Sequence, residues 1–190
     1  MKARRIKGID VAAPAADGLE RTIGVRLDEL FSFLPRALEP SEEEAQHDMR
    51  IAAKRLRYLL EVSSFCFGPY AERSARHVRD LQDVLGEIHD CDVMLPRVLA
   101  HAGELRRRDA AALVERDPDA EDLSVSAAAR APSRGAYRGL QTLAVHVEAR
   151  RGLLHARFVD QVQELQRKGF RARLEWALRE RGDSIPEESA

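Results

Sequence analysis

Leu19, Ile23, Leu27, Leu30 and Leu34 recur at intervals of four, four, three and four, which is the period of one helix face. Pro35 and Pro40 close that helix. A second helix is expected over about 41–67. Ser41 can cap it, Glu44 is the return arm of a capping box, and "GPY" at 68–70 stops it. Its apolar arc holds Met49, Ala52, Ala53, Leu56, Leu59 and Leu60. A third helix begins near Tyr70 and buries Val78, Leu81, Val84, Leu85, Ile88, Cys91 and Leu95. Pro96 is expected to kink or interrupt it before "RVLAHAGELRRR". A fourth helix, about 135–167, turns Leu140, Leu143, Val147, Leu154, Phe158, Val162 and Leu165 inward. A tail helix after Gly169 adds Phe170, Leu174, Trp176 and Leu178 to the core.

No run of alternating β-branched residues marks a strand. The expected fold is all-α, an antiparallel four-helix bundle with a short C-terminal helix. The bundle spans 17–182, after a flexible basic arm at 1–16 and before a flexible tail at 183–190. Acids, Pro, Ser and Ala without periodicity make about 115–134 a mobile loop with room for one short helix.

A chain of 190 residues that is 44% apolar holds one compact domain with a core. Its net charge of −1 supplies no global field for a polyanion, so any anion site must be a local patch. Cys66 and Cys91 lack CxxC spacing and read as reduced thiols. The basic opening has no apolar stretch of signal-peptide length, and no run reaches about 18 apolar residues. A soluble, cytoplasmic protein without a membrane partner is expected.

The local patch lies in "HDMRIAAKRLRYLLE", residues 47–61. From 47 to 58 four cations stand against one acid, a net +3. His47, Arg50, Lys54 and Arg57 share one face over about 15 Å of helix, while Arg55 lies off that line with Tyr58 and Ile51 between. A row of this length suits an extended anion with repeating charge. Arg offers a bidentate fork to phosphate, and Lys adds a point charge. The competing reading is a solvated face with i,i+4 partners, yet no acid occurs between Arg50 and Arg57. His146, Arg150 and Arg157 edge the apolar arc of the fourth helix, whereas Arg151 there and Arg26 on the first helix project within the arc. Salt bridges to Asp28, Glu29 or Glu148 would explain Arg26 and Arg151 as well as a ligand would. Arg73, Arg76 and Arg79 alternate with acids and read as a solvated face.

Two segments together resemble the CHAD family, the conserved histidine α-helical domains. The first matches at His47, Arg50, Lys54, Arg55, Leu56, Arg57 and Tyr58; the second, "LQDVLGEIHDCDV", at Leu81, Gln82, Leu85, Gly86, Asp90, Asp92 and Val93. Weaker similarity extends over about 17–180. The resemblance implies a helical protein that binds inorganic polyphosphate through His47, Arg50, Lys54, Arg55, Arg57 and Tyr58, with Arg150, Arg151 and Arg157, and further Arg26 and His146, as neighbouring contacts. It also implies association with polyphosphate granules. Larger members hold two four-helix bundles, each with its own basic helix. One copy of the signature here implies a half-sized surface, or one completed by a second copy in a homodimer. The Glu-x-Glu-x-Lys mark of the triphosphate-tunnel domain fused to many relatives is absent, so its hydrolase chemistry is not carried over.

The strongest rival is a metal-dependent phosphohydrolase built on the "HD" pairs His47–Asp48 and His89–Asp90. His47 on a cationic stripe opposes a divalent ion, and His77 falls on an apolar side as a hydrogen-bonded core residue. Asp92 can join a metal site with His89 and Asp90, or simply pair with a buried Arg. Nucleic acid binding lacks an aromatic platform for bases. A structural adaptor, with no affinity for polyanions, is the remaining alternative. No nucleophile or acid–base pair can be placed, so a non-enzymatic binder without metal or cofactor is expected.

Overall fold

The computed structural model describes residues 2–10, 12–116 and 118–180. The tail expected at 183–190 lies outside them. Every regular element among the described residues is a helix: α1 (Ala15–Phe31), α2 (Leu34–Ala37), α3 (Glu43–Arg116), α4 (Val125–Ala128), α5 (Arg134–Arg167) and α6 (Phe170–Glu180). The all-α reading therefore holds.

Gly68 breaks α3 into two arms, 43–67 and 69–116, with φ 72° and ψ −172°. A side chain would be strained at that φ, and Pro69 disfavours the α conformation in the residue before it. Pro69 itself sits where a helix accepts proline, at its first turn. Pro96, by contrast, neither ends nor breaks the helix: Gly68 is the residue within α3 that leaves helical dihedrals. Pro96 gives up its bond to the carbonyl four residues back and its ring crowds that carbonyl, but its fixed φ suits a helix and the long arm absorbs the local cost.

The second helix is not started by the Ser41–Glu44 box, which forms no hydrogen bond among the described residues. α3 begins at Glu43, and the buried Gln46 reaches back to the Glu39 carbonyl at 2.9 Å and the Ala37 carbonyl at 3.4 Å. That amide satisfies carbonyls at the end of α2 and so ties the α2 turn onto α3.

The chain forms two compact units. The first runs to His89 and resumes at Leu154. Its core takes Ile23, Leu27 and Leu30 from α1, Met49, Ala52, Leu56 and Leu60 from the first arm of α3, and Val78, Leu85 and Ile88 from the second. Phe158 and Val162 of α5 and Phe170, Leu174 and Leu178 of α6 complete it. Trp176 is 63% exposed, contrary to expectation. It lies two residues after Leu174, about 200° round the helix, so the face that buries Leu174 turns it outward. The arm before α1 lies on the unit: the Arg4 amide donates to Glu29, and Gly8 packs on the Arg21 guanidinium.

The second unit, 90–153, pairs the rest of α3 with the first part of α5. Its contacts run in opposite sequence order, Cys91 with Arg150, Arg106 with Gln141 and Asp109 with Ser133. The pairing is that of an antiparallel hairpin. The buried Asp109 accepts from the Ser133 amide at 3.0 Å and so satisfies a donor at the start of α5.

Candidate functional site

The site grows from the contact between the two arms of α3. His47 packs on His89 with tilted rings whose centroids are 4.5 Å apart, the Arg50 stem passes over Gly86, and Glu61 meets Arg79. These pairings again run in opposite sequence order, so the two signature segments lie side by side along one seam. A Cβ at Gly86 would meet the Arg50 stem at ordinary contact distance, so the position accepts a small residue and disfavours a bulky one.

His47, Arg50, Lys54 and Arg57 emerge along this seam as the helical spacing predicts, and Tyr58 joins them. The Arg57 guanidinium lies 4.6 Å from the Tyr58 ring centre and Lys54 Nζ 5.8 Å from it. The ring, 48% exposed, holds both cations over its face. Neither Arg50 nor Lys54 forms an ion pair among the described residues. Arg57 has one distant partner, Glu61, at 3.8 Å. His47 Nδ1, Arg50 Nε, Arg57 Nε and, from the facing arm, Gln82 Oε1 are enclosed and lack a hydrogen-bond partner. Each such group costs about 1–3 kcal/mol when left unmade. An exposed ion pair returns only about 0–1 kcal/mol. The seam is thus less well satisfied than ordinary packing requires.

Burial is the main reason the His47 pKa lies below its ordinary value; the neighbouring His89 and Arg50 add to the effect and Asp48 opposes it. His47 is accordingly neutral near pH 7 and acts as a polar contact, while the charge comes from Arg50, Lys54 and Arg57.

Arg55 and Arg26 go elsewhere. Glu29, 1% exposed, accepts from Arg26 at 2.6 Å and from Arg55 at 3.2 Å. The expected bridge from Arg26 to Glu29 is present, and Arg55, off the stripe as its position predicts, completes the cluster. In the second unit Arg151 pairs with Asp92, the partner that the sequence offered as an alternative to a metal, and exposed Arg150 donates to the buried Cys91 sulfur at 3.6 Å. His146 is exposed on the same stretch of α5. Arg157 belongs to the first unit but lines a groove of about 490 Å³ with His77, Asp80 and Asp160. His77 and Asp80 lie on the side of α3 turned away from Gly86, so Arg157 does not join the seam. His77 itself is exposed and touches the edge of the Phe170 ring, rather than lying in the core. Arg79, Gln82, Gly86 and His89 complete the seam and were not among the candidate anion-binding residues. The antiparallel return at Gly68 is what brings them there; motif membership signalled Gln82 and Gly86, whereas Arg79 and His89 match no motif position.

Among the described residues no three His, Cys, Asp or Glu side chains gather as metal ligands. No helix there is long and apolar enough to cross a membrane.

The CHAD-domain family model matches residues 3–99, slightly more than half of the chain, and includes both segments of the seam. The match is shorter than the 17–180 of the sequence resemblance. The family is associated with polyphosphate binding. No curated protein and no solved structure matches the chain.

Proposed function

We propose that this chain, which belongs to the CHAD-domain family, binds inorganic polyphosphate along the α3 seam and does so without catalysis. The supporting observation is the pairing pattern. Arg50 and Lys54 stand without carboxylate partners beside the enclosed and unsatisfied His47 Nδ1 and Arg57 Nε. A phosphate chain carries acceptor oxygens on every unit and so can meet cations spaced by successive helical turns, and each Arg donates to it in charge-assisted hydrogen bonds. Tyr58 keeps Lys54 and Arg57 beside one another while they wait for the anion. On this reading α1, the two arms of α3 and the end of α5 form the antiparallel four-helix bundle of the family. The seam then serves as a half-sized surface, or as one half of a dimer's.

Titration with long polyphosphate, tripolyphosphate and DNA of matched charge tests the reading. Affinity should fall in that order. Equal affinity for DNA and long polyphosphate would instead favour a general phosphate-backbone binder.

The ring contact between His47 and His89, one histidine from each "HD" pair, favours a second reading as a metal-dependent phosphohydrolase. Metal analysis of the purified protein and release of phosphate from polyphosphate separate the two. Metal-dependent release would overturn the non-catalytic reading.

A further inference from the structure

Glu61 sits one helical turn beyond Arg57, where an anion following the stripe would arrive next. Its Oε1 accepts from Arg79 Nη2 at 2.6 Å across the seam and lies 3.8 Å from Arg57 Nε. One carboxylate oxygen therefore occupies the place between two guanidinium groups that a phosphate oxygen could fill. Arg57 Nε stays enclosed and unsatisfied behind it. Glu61 is 30% exposed and Arg79 48%, so both can move without disturbing the core.

We infer that Glu61 is an internal competitor that ends the anion track and holds Arg79 in reserve. This deepens the polyphosphate reading and rests on it. With Glu61 in place, the track stops at Arg57, because its carboxylate repels the next phosphate and already uses the Arg79 fork. When Glu61 loses its charge, Arg79 becomes a further contact and the track reaches from the first arm of α3 onto the second. The effect depends on anion length. Tripolyphosphate can be held by Arg50, Lys54 and Arg57 without reaching Arg79, whereas a long chain reaches all four. Glu61 thus sets how much of a long anion the surface engages.

The test is a double-mutant cycle with Glu61→Gln, Arg79→Gln and the pair, titrated with long polyphosphate and with tripolyphosphate at several salt concentrations. Glu61→Gln should bind long polyphosphate about threefold to fivefold more tightly. By analogy with nucleic acid, its log–log salt slope should steepen by about 0.7–0.9, the signature of one further phosphate neutralised. Its gain for tripolyphosphate should be smaller. Arg79→Gln should change little in the wild type and remove the gain in Glu61→Gln, which is a non-additive result. A mere change in overall charge would leave the two substitutions additive and raise affinity for both anions alike. Additivity in a protein that binds polyphosphate would overturn the role of Glu61 while leaving the function intact. If neither the wild type nor Glu61→Gln binds, both the reading and the inference fall. Circular dichroism of each variant confirms that helix content is unchanged.

Discussion

Two clusters of cations in the first unit meet their counter-charges in different ways. Around Glu29, Arg26 and Arg55 converge on a carboxylate that is nearly inaccessible, and the Arg4 amide donates to it as well. Along the seam, Arg50 and Lys54 have no carboxylate partner among the described residues, and the Nε atoms of Arg50 and Arg57 lack hydrogen bonds. Arg55 and Arg57 are two residues apart on one helix, yet they belong to opposite regimes. The first region converts charge into stability, because a buried carboxylate tolerates burial only with its donors in place. The second leaves charge and hydrogen-bonding capacity unused within the fold, which is the condition for an anion to gain by binding there. Charge count alone does not distinguish a structural cation from a ligand-binding one; the groups each cation is paired with do.

The largest effect that can break this contrast is on stability. Glu29→Gln should lower unfolding free energy by about 3–5 kcal/mol, because two cations are left around a neutral group, one of them buried. Urea denaturation measures it. A loss under about 1 kcal/mol would place Glu29 with ordinary surface pairs.

Next comes a crossed comparison. Arg55→Gln should cost about 1–3 kcal/mol of stability and change polyphosphate affinity little. Arg50→Gln should cost less than about 1 kcal/mol, since it removes an unsatisfied donor, and should weaken binding several-fold. If both variants lose stability and affinity together, the two regions are one.

A smaller effect is the response to pH. Folding lowers the His47 pKa, with burial first among its causes and His89, Arg50 and Asp48 facing it. Its contribution to stability is complete above the unfolded value near 6.5 and is lost as pH falls through the lower folded value. His47→Gln should flatten that part of the stability profile. A polyanion in the seam raises the pKa again, so polyphosphate binding should tighten on acidification and take up a proton. Calorimetry in buffers of different ionisation enthalpy measures that uptake.

The smallest change is expected from Arg157→Gln, whose groove lies on another side of α3. Its affinity should stay within about twofold of wild type.

Local periodicity made much of this legible from the sequence. Ile23, Leu27 and Leu30, or Met49, Ala52 and Leu56, repeat at helical intervals and are buried as that repeat requires. The turn at Gly68 was legible too, because Gly–Pro leaves the chain few conformations. What escaped depends on distant residues. Whether Pro96 breaks a helix rests on the packing around it, and Trp176 lay within an apolar stretch whose inward face passes it by. The seam was half legible. His47, Arg50, Lys54 and Arg57 share a face by spacing alone, but Arg79, Gln82 and His89 join it only because the second arm folds back. The fate of Arg55 was visible only as a position off the stripe; that Glu29 would take it required the packing of α1.

The most direct test of the central claim is the salt dependence of polyphosphate binding for the wild type and for the triple variant Arg50→Gln, Lys54→Gln, Arg57→Gln. Gln keeps the helix propensity of these positions, so circular dichroism should be unchanged. Every phosphate that is no longer neutralised should flatten the log–log slope by about 0.7–0.9, by analogy with nucleic acid. The account predicts weaker binding and a slope flatter by roughly two units or more. A triple variant that binds as tightly as wild type, with the same slope, would contradict it and leave the stripe a solvated face.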